Sequence, residues 1–365
     1  MSELKKRNFH EAQWDESIIY EQSVPGSRGV LVPDVSEEAS KVTGDVSELM
    51  PASLKRKQKP DLPELAQPQV LRHFLRLSQE TIGQDLNVDI GLGTCTMKYS
   101  PKINEQFVRS HKFTEMHPYQ DDETSQGVLK LIYDFEQIMK EISGLDAVSF
   151  QPGGGGQGIY ANAAVLKKYF RDRGEENQRT QIITTILSHP IDSAAPATKG
   201  FEVISLYPEA NGYPSIEALK AAVSEKTAGI FITNPEDTGV FNPIIREFVD
   251  VVHEAGGLCV CDMADYNGLF GIVRAKELGA DLCHFNLHKA FSSPHGCMGP
   301  GCAAQCVSAE LEKYLPRPRV RFDGKKYYTD YDGEYSIGKV ARKIEPDYEV
   351  GEDVSERVDF AKFGR

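Results

Sequence analysis

Two residues of this chain stand where a parallel sheet delivers its chemistry. Asp262 follows the apolar run 258–261, and Lys289 follows the apolar run 281–287 after His288. Both runs read as buried strands of a parallel sheet. In open α/β sheets, functional residues collect beyond the carboxyl ends of the strands. A lysine there, followed by a Gly- and Pro-rich loop, can be desolvated and serve as a Schiff-base amine. An aspartate one strand away can partner the pyridinium nitrogen of pyridoxal phosphate. A lysine after a strand is ordinarily a solvated surface residue. The pairing with Asp262, and the His-Lys dipeptide before a Gly-rich loop, favour the catalytic reading.

A second chemical signature lies upstream. Residues 147–151 read as a strand, residues 152–158 as the turn P-G-G-G-G-Q-G, and residues 159–170 as a helix. Strand, glycine turn and helix start together make an anion site, because backbone N–H groups and the helix dipole point at one spot. Gly153, Gly155 and Gly158 also fit G-x-G-x-x-G, so a dinucleotide site competes with a phosphate cup. The dinucleotide reading gives no role to Asp262 and Lys289. His189 follows the strand expected over 181–187; it can stack on a pyridine ring or be an ordinary hydrogen-bonded histidine.

The lysine loop carries a family signature. Residues 286–301 read N-L-H-K-A-F-S-S-P-H-G-C-M-G-P-G. This run resembles the P-protein of the glycine cleavage system, in its two-subunit form, which typically shows N-L-H-K-T-F-x-x-P-H-G-G-G-G-P-G. Ala290 stands where Thr is usual, and Cys297-Met298 make the loop less Gly-rich. Residues 91–104, G-L-G-T-C-T-M-K-Y-S-P-K-I-N, resemble the family's L-G-S-C-T-M-K-Y-N-P-K-I-N. Residues 17–29 resemble its amino-terminal arm, with Ser27 in place of an arginine. Residues 233–239, T-N-P-E-D-T-G, resemble T-N-P-N-T-x-G. After His189 the family's G-T-N is replaced by Pro190, Ile191 and Asp192.

The resemblance implies an α/β fold, the large domain of fold-type-I pyridoxal-phosphate enzymes, with a largely parallel sheet and an amino-terminal arm. It implies Lys289, Asp262 and His189 as catalytic residues that also hold the cofactor. His288, Gly154, Gly155, Gly156, Gln157 and Asn234 are implied as further cofactor contacts. Thr94, Cys95 and Thr96 are implied as a loop on the substrate side. Lys98 in that loop is rejected as the Schiff-base lysine, because no carboxylate-bearing strand precedes it. The implied reaction is decarboxylation of glycine with transfer of the aminomethyl group to the lipoyl group of H-protein. The implied partners are lipoylated H-protein and the first P-protein subunit, in a heterotetramer. Two other classes stay open: another fold-type-I enzyme, such as an amino-acid decarboxylase or cysteine desulfurase, and a remnant that binds cofactor or partner only.

Behind these residues, the remaining chain must supply a scaffold. Residues 1–68 read as a polar arm and linker, 69–340 as the cofactor-binding large domain, and 341–365 as an acidic tail. The tail is too short to build the small carboxy-terminal domain of the family, so that domain is expected to be missing. Within 69–340, residues 125–144 are the clearest helix, with Val128, Leu131, Ile132, Phe135, Ile138, Met139 and Ile142 as its apolar face and Gly144 as its stop. Strands are expected over 203–206 and 229–233, and helices over 215–226, capped by Ser215, and 243–255. The formal net charge of −13 argues against a nucleic-acid partner. No apolar run is long enough to span a bilayer, and residues 1–15 lack a signal-peptide core, so a cytoplasmic protein is expected. Seven cysteines read as reduced thiols rather than a zinc site, because Cys297, Cys302 and Cys306 lack a tight pair spacing and a fourth ligand.

Overall fold

The structure, a computed structural model, describes residues 14–29, 31–58, 60–80, 101–293 and 301–331, and the backbone alone for 46–47, 89–90 and 97–98. Thr94, Cys95 and Thr96, the middle of the lysine loop and the 341–365 tail lie outside the described residues. The chain forms two compact units, Met1–Asn87 and Val88–Arg365. In the first, helix α1 (Gln67–Glu80) carries Pro68 in its first turn, where a missing N–H costs nothing. Its His73 is buried and pairs through Nδ1 with Glu16 at 2.9 Å, and Arg76 donates to the same carboxylate at 2.9 Å. Its Phe74 is exposed.

The second unit is built on a seven-stranded sheet. Its strands are β1 (Ala147–Ser149), β2 (Gln181–Thr185), β3 (Glu202–Leu206), β4 (Thr227–Thr233), β5 (Leu258–Asp262), β6 (Leu282–Asn286) and β7 (Ala303–Val307). The spatial order is β1-β7-β6-β5-β4-β2-β3. β3, β2, β4, β5 and β6 run parallel, and β7 lies antiparallel between β6 and β1. The sheet is thus largely parallel, as its near-continuous apolar strands require. A hairpin of β8 (Arg319–Phe322) and β9 (Tyr327–Asp330) follows.

Helices cover both faces. On one side lie α2 (Gln126–Ser143) and α6 (Ile245–Glu254), packed through Met139, Phe248 and Val252 onto Ile183, Ile230, Cys259 and Cys283. On the other lies α3 (Gly155–Asp172), whose Ile159, Ala163 and Leu166 meet Ile182, Phe231, Val260 and Leu282. Helix α4 (Ile191–Thr198) adds Ala195 to that face, and α5 (Ile216–Ala222) is capped by Ser215 Oγ, which accepts from Ala218 N–H at 3.2 Å.

Two elements differ from expectation in ways that matter. In α2 the side chains of Met139, Phe135 and Ile142 do face the core. Leu131, Ile132 and Ile138 instead face an apolar cavity of about 1090 Å³, lined also by Phe113, Met116 and Tyr331, and the buried positions include Leu129 and Glu136. Glu136 can be buried because Arg319 Nη2 donates to it at 2.6 Å. Helix α3 begins at Gly155 rather than at Ile159, so the glycine run forms the first turn of the helix. The reason is contact. A Cβ on Gly155 would lie 2.7 Å from the Asn286 amide, and one on Gly158 would lie 2.8 Å from the His284 ring. Glycine lets the helix lie against the polar end of β6, where a side chain would force the two apart.

Candidate active site

Strand register assembles a row of polar side chains at the carboxyl end of the sheet. Thr233 pairs with Asp262, Asp262 with His284, His284 with Gln305, and Gln305 with Ser149. All lie on the α3–α4 side, since His284 meets Gly158, Gln305 Nε2 donates to Asn162 Oδ1 of α3 at 2.8 Å, and Thr233 Oγ1 donates to Asp192 Oδ2 of α4 at 2.8 Å. The row is buried: Asp262 is 6% exposed, and His284 and Gln305 are fully buried. Asp262 Oδ1 accepts from Ala264 N–H at 2.8 Å, which orients the carboxylate at the strand end.

Lys289 lies three residues past β6 and is 5% exposed. Its side chain makes no ion pair among the described residues. A lysine buried at this place can serve as a Schiff-base amine. The backbone beyond it turns tightly: Ser292 N–H donates to the Lys289 carbonyl at 3.2 Å, and Ser292 itself holds φ of 54°. A serine in the left-handed region is uncommon and marks a loop shaped by its surroundings. Asn104 Nδ2 braces that turn by donating to the Ser292 carbonyl at 2.9 Å. His288 points the other way. Cys302 N–H donates to its Nδ1 at 3.2 Å, and its ring packs where a Cβ on Gly301 would lie 3.1 Å away.

The amino end of α3 is where an anion site is expected. Gly154 precedes the helix without a side-chain cap, and a Cβ there would meet nothing within 4 Å. Gln157 Oε1 accepts from Gly153 N–H at 2.7 Å, so its side chain braces the turn. The first N–H groups of the helix, from Gly155 to Gln157, are those that an α-helix cannot satisfy internally.

His189 follows β2 and is half-buried. Ile191 N–H donates to its Nδ1 at 3.1 Å, leaving Nε2 as the protonated nitrogen of a neutral ring. Asn234 spends its amide locally: Asn242 N–H donates to its Oδ1 at 2.9 Å, and its Nδ2 donates to the Asn242 carbonyl at 3.3 Å. This shapes the loop after β4. The convergence of the site shows at His284. Burial pushes its imidazole below the usual histidine range, Asp262 pulls against that, and Lys289 and His189 add to it.

Three buried groups here lie outside the expected site residues. His284 alternates with Phe285 along β6 and reads as an ordinary strand residue; its site position comes from register with Asp262. Glu236 is buried against Thr185 Oγ1, and burial pushes its carboxyl up. Asp192, fully buried, has its carboxyl raised well above the usual range, first by burial and then by the charge of Asp262. The departure from the family's G-T-N at this point was the available signal for Asp192. An acid whose folded pKa exceeds its unfolded value of 3.8 makes folding less favourable as pH rises from about 4 through the folded pKa. Replacing it by its neutral isostere removes that penalty. Asp192→Asn, compared with wild type in thermal unfolding without cofactor, should match it near about pH 4 and be the more stable near about pH 8. The gain is at most about 1.4 kcal/mol per pH unit crossed. Parallel stability curves across that range would show Asp192 to be ionised in the folded chain.

The residues present fit pyridoxal phosphate. A buried lysine, a buried carboxylate on the neighbouring strand end, a histidine after a third strand and an uncapped helix start with open space occupy one end of one sheet. Among the described residues no group of His, Cys, Asp and Glu has the arrangement of a metal site. No helix among them is long and apolar enough to cross a membrane.

Residues 40–321 match the sequence family described as Glycine cleavage system P-protein. A protein of Pyrococcus abyssi (strain GE5 / Orsay), "Probable glycine dehydrogenase (decarboxylating) subunit 2", is 43% identical over 334 residues, which cover 91% of this chain and 65% of that protein. A protein of the same description from Thermoplasma volcanium is 39% identical over 337 residues, covering 92% of this chain and 68% of its own. The chain therefore spans about two thirds of the length of these relatives. Among solved structures, one of glycine decarboxylase (P-protein) of the glycine cleavage system, in inhibitor-bound form, superposes with a TM-score of 0.63 at 20% identity, covering 82% of this chain and 69% of that one. The match across 40–321 and the 43% identity to the Pyrococcus abyssi protein show that this chain belongs to the glycine cleavage system P-protein family.

Proposed function

We propose that this chain binds pyridoxal phosphate at Lys289 and acts in the decarboxylation of glycine, as part of a two-subunit P-protein that hands the aminomethyl group to lipoylated H-protein. The observation that carries this reading is the pair of buried residues Lys289 and Asp262, at adjoining strand ends, in a chain matching the P-protein family across 40–321. The "subunit 2" in the descriptions of its relatives supports a companion first subunit.

Each residue has a task in that reading. When bound, the cofactor supplies an electron sink for the charge left on the α-carbon as carbon dioxide departs. The Lys289 amine would hold the cofactor covalently. Asp262, held in place by its bond from Ala264 N–H, would keep a proton on the ring nitrogen. His189, its Nδ1 fixed by Ile191 N–H, would help hold the cofactor. The N–H groups at the start of α3, with Gln157 bracing the turn, receive the phosphate. Burial of the row around Asp262 excludes water, so these charges act in a low dielectric.

Co-expression with a first P-protein subunit and lipoylated H-protein tests the reading. Exchange of label between bicarbonate and the glycine carboxyl is expected, and it should depend on H-protein and on added cofactor. No exchange from a folded, cofactor-loaded assembly would overturn it.

A further inference from the structure

His284 is the most constrained polar side chain of the site, and no assigned task uses it. Its ring is fully buried, and neither ring nitrogen has a hydrogen-bond partner among the described residues. The ring cannot swing away, because α3 lies on its Cδ2 edge at Gly158. Its Nε2 lies 3.5 Å from Asp262 Oδ1, just beyond a hydrogen bond, and among the described residues this is the one carboxylate paired with it. Two further buried orphans lie on its neighbours: Gln305 Oε1, an acceptor, on the residue paired with it in β7, and Asn162 Nδ2, a donor, on α3. A buried polar group left unpaired costs as much as a lost hydrogen bond, so four such atoms side by side need an explanation.

We propose that His284 is a positioning residue, which carries its proton on Nε2 and closes on Asp262 to hold that carboxylate charged and aimed at the cofactor ring nitrogen. The proposal rests on the cofactor reading above. The Nε2–H donates to Asp262 Oδ1, beside the Ala264 N–H already bound there. That leaves Nδ1 as an acceptor; Asn162 Nδ2, on the helix that meets the ring at Gly158, is a buried donor without a partner. A neutral ring suits the task, since burial holds this imidazole below the usual range and a second cation would compete with the ring proton for Asp262. The charged and titratable groups facing it are Asp262, Lys289 and His189.

The test has two arms. In the cofactor-free chain, nitrogen NMR of His284 should show a neutral ring with the proton on Nε2 near neutral pH. In Asp262→Ala, which removes the acceptor, that preference should relax. A ring protonated on Nδ1, or a tautomer unchanged in Asp262→Ala, overturns the proposal, and neither readout needs bound cofactor. In the loaded chain, His284→Leu should weaken cofactor binding by about tenfold or more, the range spanned by a hydrogen bond to a charged group. It should also shift the pH profile of the visible absorbance. His284→Gln, whose amide can donate from a similar position, should restore both. Equal affinity and an equal profile in His284→Leu overturn the proposal. If wild type binds no cofactor yet shows the Asp262-dependent tautomer, the cofactor reading falls and the His284–Asp262 pairing stands. If His284→Leu does not fold, the NMR arm decides.

Discussion

Lys289→Ala should abolish covalent cofactor attachment outright. Wild type, treated with borohydride after loading with pyridoxal phosphate, is expected to carry a stoichiometric label on the peptide containing Lys289. The alanine variant should carry none and show no visible absorbance band. The expectation rests on position and environment together. Lys289 leaves β6 within a turn closed by Ser292 N–H, and its side chain is buried. Its amine makes no ion pair among the described residues and stands beyond the carboxyl end of a parallel strand, where a Schiff-base lysine acts. The fold should survive, because truncating this side chain removes a desolvated charge rather than a packed apolar group. A label recovered on the peptide containing Lys98, or on any other lysine, would sink the assignment.

The strand-end residues were readable from the sequence because a buried parallel strand is a short continuous apolar run, and whatever polar residue ends it stands out. Asp262 ends β5 and Lys289 closely follows β6 for that reason. The start of α3 was not readable. Glycines have little helical preference, and what lets Gly155 and Gly158 lie in the first turn is contact with Asn286 and His284, which are far away in sequence. The glycines therefore have a packing reason beside any anion-binding one. The face of α2 was misjudged at Leu131 and Ile138, because periodicity marks an apolar stripe without saying what covers it. His284 carried no signal as a site residue, and Asp192 only the departure from the family's G-T-N. Each looks ordinary in its own element, and only the pairing of Thr233 with Asp262 and of Asp262 with His284 gathers them.

Asp262→Asn should leave the fold and cofactor attachment in place and disable turnover by about a thousandfold or more, equivalent to ~4 kcal/mol of lost transition-state stabilisation. The amide fits the same space. Its oxygen can still accept from Ala264 N–H, now 2.8 Å from Asp262 Oδ1, so the strand end keeps its shape. What changes is the other atom. A carboxylate accepts at both oxygens and favours a proton on the ring nitrogen that faces it; an amide offers an N–H there and favours the unprotonated ring. Without that proton the ring draws little charge from the α-carbon, and the barrier to losing carbon dioxide rises. The same substitution has a second consequence that a purely steric role would not produce. The Asp262 charge is one of the causes that raise the Asp192 carboxyl, so removing it should bring Asp192 back toward its ordinary range. The stabilising effect of Asp192→Asn at alkaline pH should then be smaller in the Asp262→Asn background than in wild type, a non-additivity expected of neighbours and absent between independent sites. Exchange activity within about tenfold of wild type in Asp262→Asn, measured on chains of equal cofactor content, would refute the electron-sink role. Strict additivity of the two substitutions would separate Asp192 from the charge of Asp262.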